Sequence, residues 1–156
     1  MKAITYLAVF AMSGAAMVSS AFANELEGWS TNLDKALEQA KKEKKAVLLE
    51  FTGSDWCPPC KMMRKEVFSK KEFVDGADKN YILVELDFPR GEEEGKKETL
   101  EKNKPFLEKY KVDAFPTVVL LDAEGKEFNR FIASAYPKTE DFLKHLDEAL
   151  EKKSLD

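Results

Sequence analysis

The sequence predicts a single α/β domain in which a mixed sheet of four to five strands carries helices on both faces. Three observations point there. Short apolar runs of strand length alternate with segments of helical periodicity, the last two runs are joined by a glycine-containing turn, and 156 residues suffice for one core and are tight for two.

The chain opens with Lys2, an apolar run over residues 3–18 softened by Thr5, Ser13 and Gly14, and then Ala21-Phe22-Ala23. Small residues stand at the two positions a signal peptidase inspects, so cleavage is expected before Asn24, leaving residues 24–156 as the domain. The run is short for a spanning helix and no basic cluster follows it. An uncleaved anchor is the alternative, and no Cys follows that would carry a lipid. The expected location is periplasmic or secreted.

Thr31 is placed to cap a helix in which Leu33, Ala36, Leu37 and Ala40 recur at helical spacing, ended by the charged stretch 41–45. Residues 46–52 form a mostly apolar run, long enough for a buried strand and too short for a core helix. Gly53-Ser54-Asp55 turns the chain into a helix that opens at Cys57-Pro58-Pro59-Cys60 and carries Met62, Met63, Val67 and Phe68. Ser69 is placed to cap a further turn through Phe73 and Val74. A second strand is expected at 81–86, an exposed loop at 89–98 and a helix at 99–110 with Leu100, Phe106, Leu107 and Tyr110 facing in. A third strand spans 117–121, and the turn 123–126 joins it to a fourth at 127–132. The last helix, 139–152, puts Phe142, Leu143, Leu146 and Leu150 on one face.

Charge and cysteine count narrow the function. The chain has 25 basic and 29 acidic residues and a formal net charge of −4, which becomes −5 when Lys2 leaves with the signal. A mildly acidic surface with scattered lysines argues against nucleic acid or an anionic membrane as partner. There are two cysteines, separated by two residues. A bridge closing so small a loop removes little unfolded-chain entropy, so chemistry explains the pair better than stapling. Half of a zinc site is a second reading, for which His145 is the only histidine and lies on the solvent-patterned last helix. An inert disulfide is a third.

The chemistry follows from position. Cys57 falls at a helix N-terminus, where unpaired N–H groups and the helix dipole favour the thiolate. Cys60 lies one turn later, within reach of the first sulfur, so Cys57 can attack a disulfide and Cys60 can resolve the mixed species. Pro58 and Pro59 suit the first turn, yet neither can donate to the Cys57 thiolate. The N–H groups of Cys60 and Lys61 are then the nearest donors. A less stabilised thiolate makes a stronger reductant, which leans the site toward reduction.

The stretch Leu48-Leu49-Glu50-Phe51-Thr52-Gly53-Ser54-Asp55-Trp56-Cys57-Pro58-Pro59-Cys60-Lys61 resembles the strand, aromatic and C-x-x-C-K of the thioredoxin superfamily. Ala114-Phe115-Pro116-Thr117 resembles its second landmark. The similarity covers most of residues 31–150 and is greatest to exported bacterial thioredoxin-like proteins. It implies a thioredoxin-like fold, Cys57 as nucleophile, Cys60 as resolving thiol, and a cis bond before Pro116 that exposes the Phe115 backbone to an extended substrate. Phe115 as a plain core aromatic is the alternative. The resemblance also implies a buried carboxylate under the resolving cysteine, for which Glu50 is the nearest candidate, one residue further from Cys57 than the family spacing. Such a carboxylate would accept the Cys60 proton; a strand-end glutamate facing solvent is the other reading. Trp56 is expected to pack beside Cys57 and shield it. The family's usual first strand is not evident between Asn24 and Ser30.

The expected function is thiol–disulfide exchange, reductase favoured, with isomerase, oxidase or a redox-regulated binding module as alternatives. The expected partners are disulfide-bearing proteins and an electron donor, for which a membrane thiol carrier is a candidate. No nucleic acid, metal or organic cofactor is expected.

Overall fold

A computed structural model describes residues 26–155, so the expected signal segment and its cleavage site lie outside the described residues. The element order is α1 (Leu33–Glu43), β1 (Ala46–Thr52), α2 (Pro58–Met63), a π-helical turn (Arg64–Phe68), α3 (Lys71–Ala77), β2 (Tyr81–Asp87), α4 (Glu94–Tyr110), β3 (Thr117–Leu121), β4 (Glu127–Ile132), a 3-10 turn (Ala133–Ala135) and α5 (Thr139–Leu155). The four strands form one mixed sheet in the order β2-β1-β3-β4. β1 runs parallel to β2 and antiparallel to β3, which pairs antiparallel with β4.

β1 and β3 are buried along their whole length, as their apolar runs require. Alternation sorts their side chains into two cores. Leu48, Leu83, Val118 and Leu120 meet Met63, Val67, Phe68, Phe73, Phe142 and Leu146 on the face covered by α2, the π turn, α3 and α5. Val47, Leu49, Phe51, Val84 and Val119 meet Leu33, Ala36, Ala40 and Tyr110 on the face covered by α1 and α4. Phe68 lies 5.3 Å, ring to ring, from both Phe73 and Phe142 in edge-on contacts. The Tyr81 hydroxyl donates to the Leu146 carbonyl at 2.9 Å and ties β2 to α5. No helix among the described residues is long and apolar enough to cross a membrane.

Several elements differ from expectation. Asn32, not Thr31, caps α1, because its Oδ1 accepts from the Lys35 N–H at 3.0 Å. Lys70 rather than Ser69 precedes α3 as its cap, and the Ser69 hydroxyl instead donates to the Lys65 carbonyl. α4 begins at Glu94, so only the first part of the expected loop is irregular. Its first turns are rich in Glu and Lys, which favour helix without marking an apolar face. Leu100 is exposed, while Asn103 of the same helix is buried and donates to the Asp87 carbonyl at 2.8 Å. Pro105 lies inside α4. By contrast, the first strand that was not evident before Ser30 is absent among the described residues, where a single bridge, Ser30 to Val84, extends the β2 edge.

α1 and α4 both end on a lysine in the left-handed region, Lys44 at φ 56° and Lys111 at φ 51°. That conformation costs a side-chain-bearing residue about 1–2 kcal/mol, and glycine escapes it at an unfolded-state cost of about 0.5–1 kcal/mol. Lys44→Gly, at an exposed position, should therefore stabilise the fold by roughly 0.5–1 kcal/mol. A urea midpoint that rises at constant slope is the expected result, and a fall would show that the Lys44 side chain makes a contact worth more than the relief.

Candidate active site

The register of the sheet gathers three loops at one end. Phe51 of β1 pairs with Thr117 of β3, and Thr52 pairs with Asp87 of β2. The segment leaving β1, the segment leaving β2 and the segment entering β3 therefore meet there. The first is a tight turn: the Gly53 carbonyl accepts from the N–H groups of Trp56 (3.3 Å) and Cys57 (2.9 Å). The Asp87 carboxylate clamps it, accepting from the Ser54 N–H at 2.8 Å and the Ser54 hydroxyl at 2.6 Å.

Cys57 caps α2 in an extended conformation, with Pro58 and Pro59 filling the first two helical positions. α2 runs without a break into the π turn. Cys57 and Cys60 are joined in a disulfide, with their Cα atoms 5.3 Å apart. Cys57 is 3% exposed and Cys60 fully buried. The Lys61 N–H donates to the Cys57 carbonyl at 3.1 Å, so it is engaged in the helix rather than left for a thiolate. This corrects the donor count read from sequence. Of the two expected donors, only the Cys60 N–H remains.

Trp56 is fixed from three sides. Its indole N–H donates to the Phe88 carbonyl at 2.8 Å, its ring meets Phe115 edge-on at 5.7 Å, and the Arg90 guanidinium lies 3.7 Å from the ring centroid. The ring also sits on bare backbone, since a Cβ on Gly53 would fall 2.5 Å from Trp56 Cε2. Asp55 orients the neighbouring loop by accepting from the Arg90 N–H at 3.1 Å and pairing with Lys96 at 3.1 Å. Phe115 is half-buried, touching both Trp56 and Phe88, so it is a core-edge aromatic that also borders the loop carrying Cys57. The Phe115–Pro116 bond is cis. Pro116 is buried, and its carbonyl accepts from the Ala133 N–H at 2.9 Å.

Glu50 is 1% exposed and does not face solvent. It is the fifth of seven residues in β1, and alternation turns it to the face that α2 covers. Its register partner is Glu85 of β2, also buried. Glu85 is ion-paired with Arg64, the first residue of the π turn, whose backbone N–H bonds the Cys60 carbonyl. Burial pushes Glu50 well above the ordinary carboxylate range, repulsion from Glu85 pushes the same way, and Arg64 and the Thr52 hydroxyl pull against them. Glu50 Oε2 has no hydrogen-bond partner among the described residues.

His145 is not on an open face as its helix pattern suggested. It stacks on Tyr136 at 4.2 Å and meets Phe131 edge-on at 4.4 Å, and burial lowers its proton affinity. Among the described residues no group of three or more His, Cys, Asp or Glu side chains could hold a metal ion. Sequence reasoning missed Arg64, Glu85, Phe88 and Arg90. Glu85 carried a signal, as an acid inside an otherwise apolar strand; Arg64 carried another, four residues after Cys60 and so on the same helical face.

The sequence profile of the thioredoxin-like domain matches residues 33–150, and with it the strand, the dithiol helix and the cis-proline loop described above. This chain belongs to the thioredoxin-like family. It is 40% identical over 96 residues to the disulfide bond reductase DsbH of Chlamydia pneumoniae, covering 62% of this chain and 57% of DsbH. It is 30% identical over 95 residues to the thiol:disulfide interchange protein DsbD of Pseudomonas fluorescens, covering 61% of this chain and 15% of DsbD. The similarity thus spans little more than half of DsbH and a small part of DsbD. A solved structure of a DsbH oxidoreductase superposes with a TM-score of 0.69 at 33% identity, over 79% of this chain and 83% of that one. The four-stranded mixed sheet with its flanking helices is the thioredoxin-like fold.

In this thioredoxin-like chain Glu50 holds its proton more tightly when folded than when unfolded. Stability from such a group is fully present below the unfolded-state value, about 4.3, and is lost as pH rises toward the raised folded value. Glu50→Gln should therefore remove a decline in unfolding free energy that sets in as pH rises above the unfolded-state value. Urea titrations below and above that value read the difference, and parallel pH curves for the two proteins would mean that Glu50 does not titrate from this buried position.

Proposed function

We propose that the chain is an exported disulfide reductase, working as a single thioredoxin-like domain over residues 24–156 outside the cytoplasm. The observation that carries the proposal is the Cys57–Cys60 pair at the start of a helix whose first turn has lost its donors. Pro58 and Pro59 have no N–H, and the Lys61 N–H is engaged by the Cys57 carbonyl. A Cys57 thiolate then has little beyond the Cys60 N–H and the helix dipole to hold its charge. The reduced form is less stabilised, and electrons flow outward to substrate. Similarity to a protein named disulfide bond reductase supports the same direction.

In this mechanism the Cys57 thiolate attacks one sulfur of a substrate disulfide. A mixed disulfide forms and the other substrate sulfur leaves as a thiolate. Glu50, on the sheet face beneath α2, takes the Cys60 proton. The Cys60 thiolate then attacks Cys57 Sγ, releases the second substrate sulfur and closes the Cys57–Cys60 disulfide. Two electrons pass to the substrate, and a dithiol donor, with a membrane thiol carrier as candidate, returns them by the reverse exchange. Trp56, Phe115 and Pro116 are the proposed substrate-contacting residues: two aromatic rings beside the nucleophile, and a backbone along which an extended chain can pair.

Equilibration with a glutathione series should place the potential nearer thioredoxin's, roughly −270 mV, than that of a strong oxidant, about −120 mV. A value above about −150 mV would make the protein an oxidase and overturn the direction. Cys60→Ser should accumulate mixed disulfides with client proteins, because attack proceeds and resolution does not. Cys57→Ser should trap none, since Cys60 is fully buried. Equal trapping by the two variants would contradict the roles assigned.

A further inference from the structure

Two carboxylates and one guanidinium meet beneath the active-site helix. Glu50 and Glu85 are register partners on adjacent parallel strands, and both are buried. Alternation turns both to the face that α2 and the π turn cover. Arg64 enters from that cover and pairs with Glu85, its side chain 23% exposed against 7% for Glu85. One cation thus serves two acids in a place where an uncompensated charge is costly. The arrangement is balanced when one acid is ionised and the other carries a proton. The Arg64–Glu85 ion pair and the unpartnered Glu50 Oε2 say which is which.

We propose that Arg64 is a positioning residue for the exchange reaction: by holding Glu85 ionised it leaves Glu50 as the carboxyl that gains and loses a proton on the sheet face covered by the dithiol helix. The consequence for catalysis rests on Glu50 acting as the proposed proton acceptor. Arg64 opens the π turn that follows the dithiol helix. It acts through Glu50, from a point four residues after Cys60, to whose carbonyl its own N–H is bonded.

The charges around Glu50 come from more than its own strand. From β2 come Glu85 and Asp87, both of which raise its proton affinity; from the π turn comes Arg64, which lowers it; from β1 itself the Thr52 hydroxyl lowers it. β3 places Val118 opposite, which carries no charge. Asp87 is committed to Ser54 at the sheet end. Arg64 and Glu85 are therefore the two levers, and they act in opposite directions.

The test follows the Glu50 carboxyl itself. The full chain, oxidised and carrying 13C-carboxyl-labelled glutamate, is titrated by NMR, with the Glu50 signal assigned by its loss in Glu50→Gln. Glu85→Gln should move the Glu50 midpoint to lower pH, Arg64→Met should move it to higher pH, and Arg64→Lys should return it toward the parent value. Shifts of opposite sign cannot arise from a general loosening of the fold. Midpoints that stay put, or that move the same way in both variants, would overturn the assignment. The pH profile of the resolving step, measured by rapid mixing on the same proteins, should move with the midpoint. If the midpoint moves as stated and the profile does not, Arg64 keeps its role toward Glu50 and the proton-relay reading of Glu50 is the part that fails.

Discussion

The active end of the molecule depends on β1 being central in the sheet and buried on both faces. All seven of its residues are buried, with β2 parallel on one side and β3 antiparallel on the other. Side chains alternate, so one strand presents Val47, Leu49 and Phe51 to α1 and α4, and Leu48 and Glu50 to α2 and its neighbours. A slip of one residue would drive Phe51 into the polar cluster and Glu50 into the aliphatic core. The register is therefore tightly constrained, and with it the place where the chain leaves the strand and turns into Cys57.

Burial and polarity conflict on that same face. Toward β1's N-terminal side the face carries an aromatic and aliphatic core in which Phe68, Phe73 and Phe142 meet edge-on. Toward its C-terminal end it carries Glu50, Thr52, Glu85 and Asp87, all on paired positions of two strands. Water is excluded from Glu50, so electrostatic interactions there are strong and unpaired groups are costly. Each acid meets the cost differently. Asp87 accepts from Ser54, Glu85 pairs with Arg64, and Glu50 is driven toward its neutral form. Neighbouring carboxyls thus end in different charge states, set by what each one meets.

The rim beside Cys57 is built differently, from contacts among loops. Trp56 is hydrogen-bonded to the Phe88 carbonyl, Phe115 bridges Trp56 and Phe88, and Arg90 covers the outer face of the indole. These residues come from three segments far apart in sequence, and the sheet register alone brings them together. Their rings pack against one another beside the turn that carries Cys57.

The sequence by itself determined the strands and the dithiol. The runs at 46–52 and 117–121 coincide with β1 and β3, because a strand buried on both faces is mostly apolar, and that signal is local. The position of Cys57 before two prolines is equally local, since proline belongs in a helix's first turn. Glu50 was legible as a candidate, but its burial was not. Local signals failed where several side chains could serve, as at Thr31 and Asn32, or where a helix is made of charged residues, as at the start of α4. Only the tertiary structure decided that Arg64 meets Glu85, that His145 lies against Tyr136 and Phe131, and that Lys61's N–H is already engaged. The first two depend on which faces of separate elements are pressed together. The third depends on where the helix begins, and a single residue's shift in that start would free the donor.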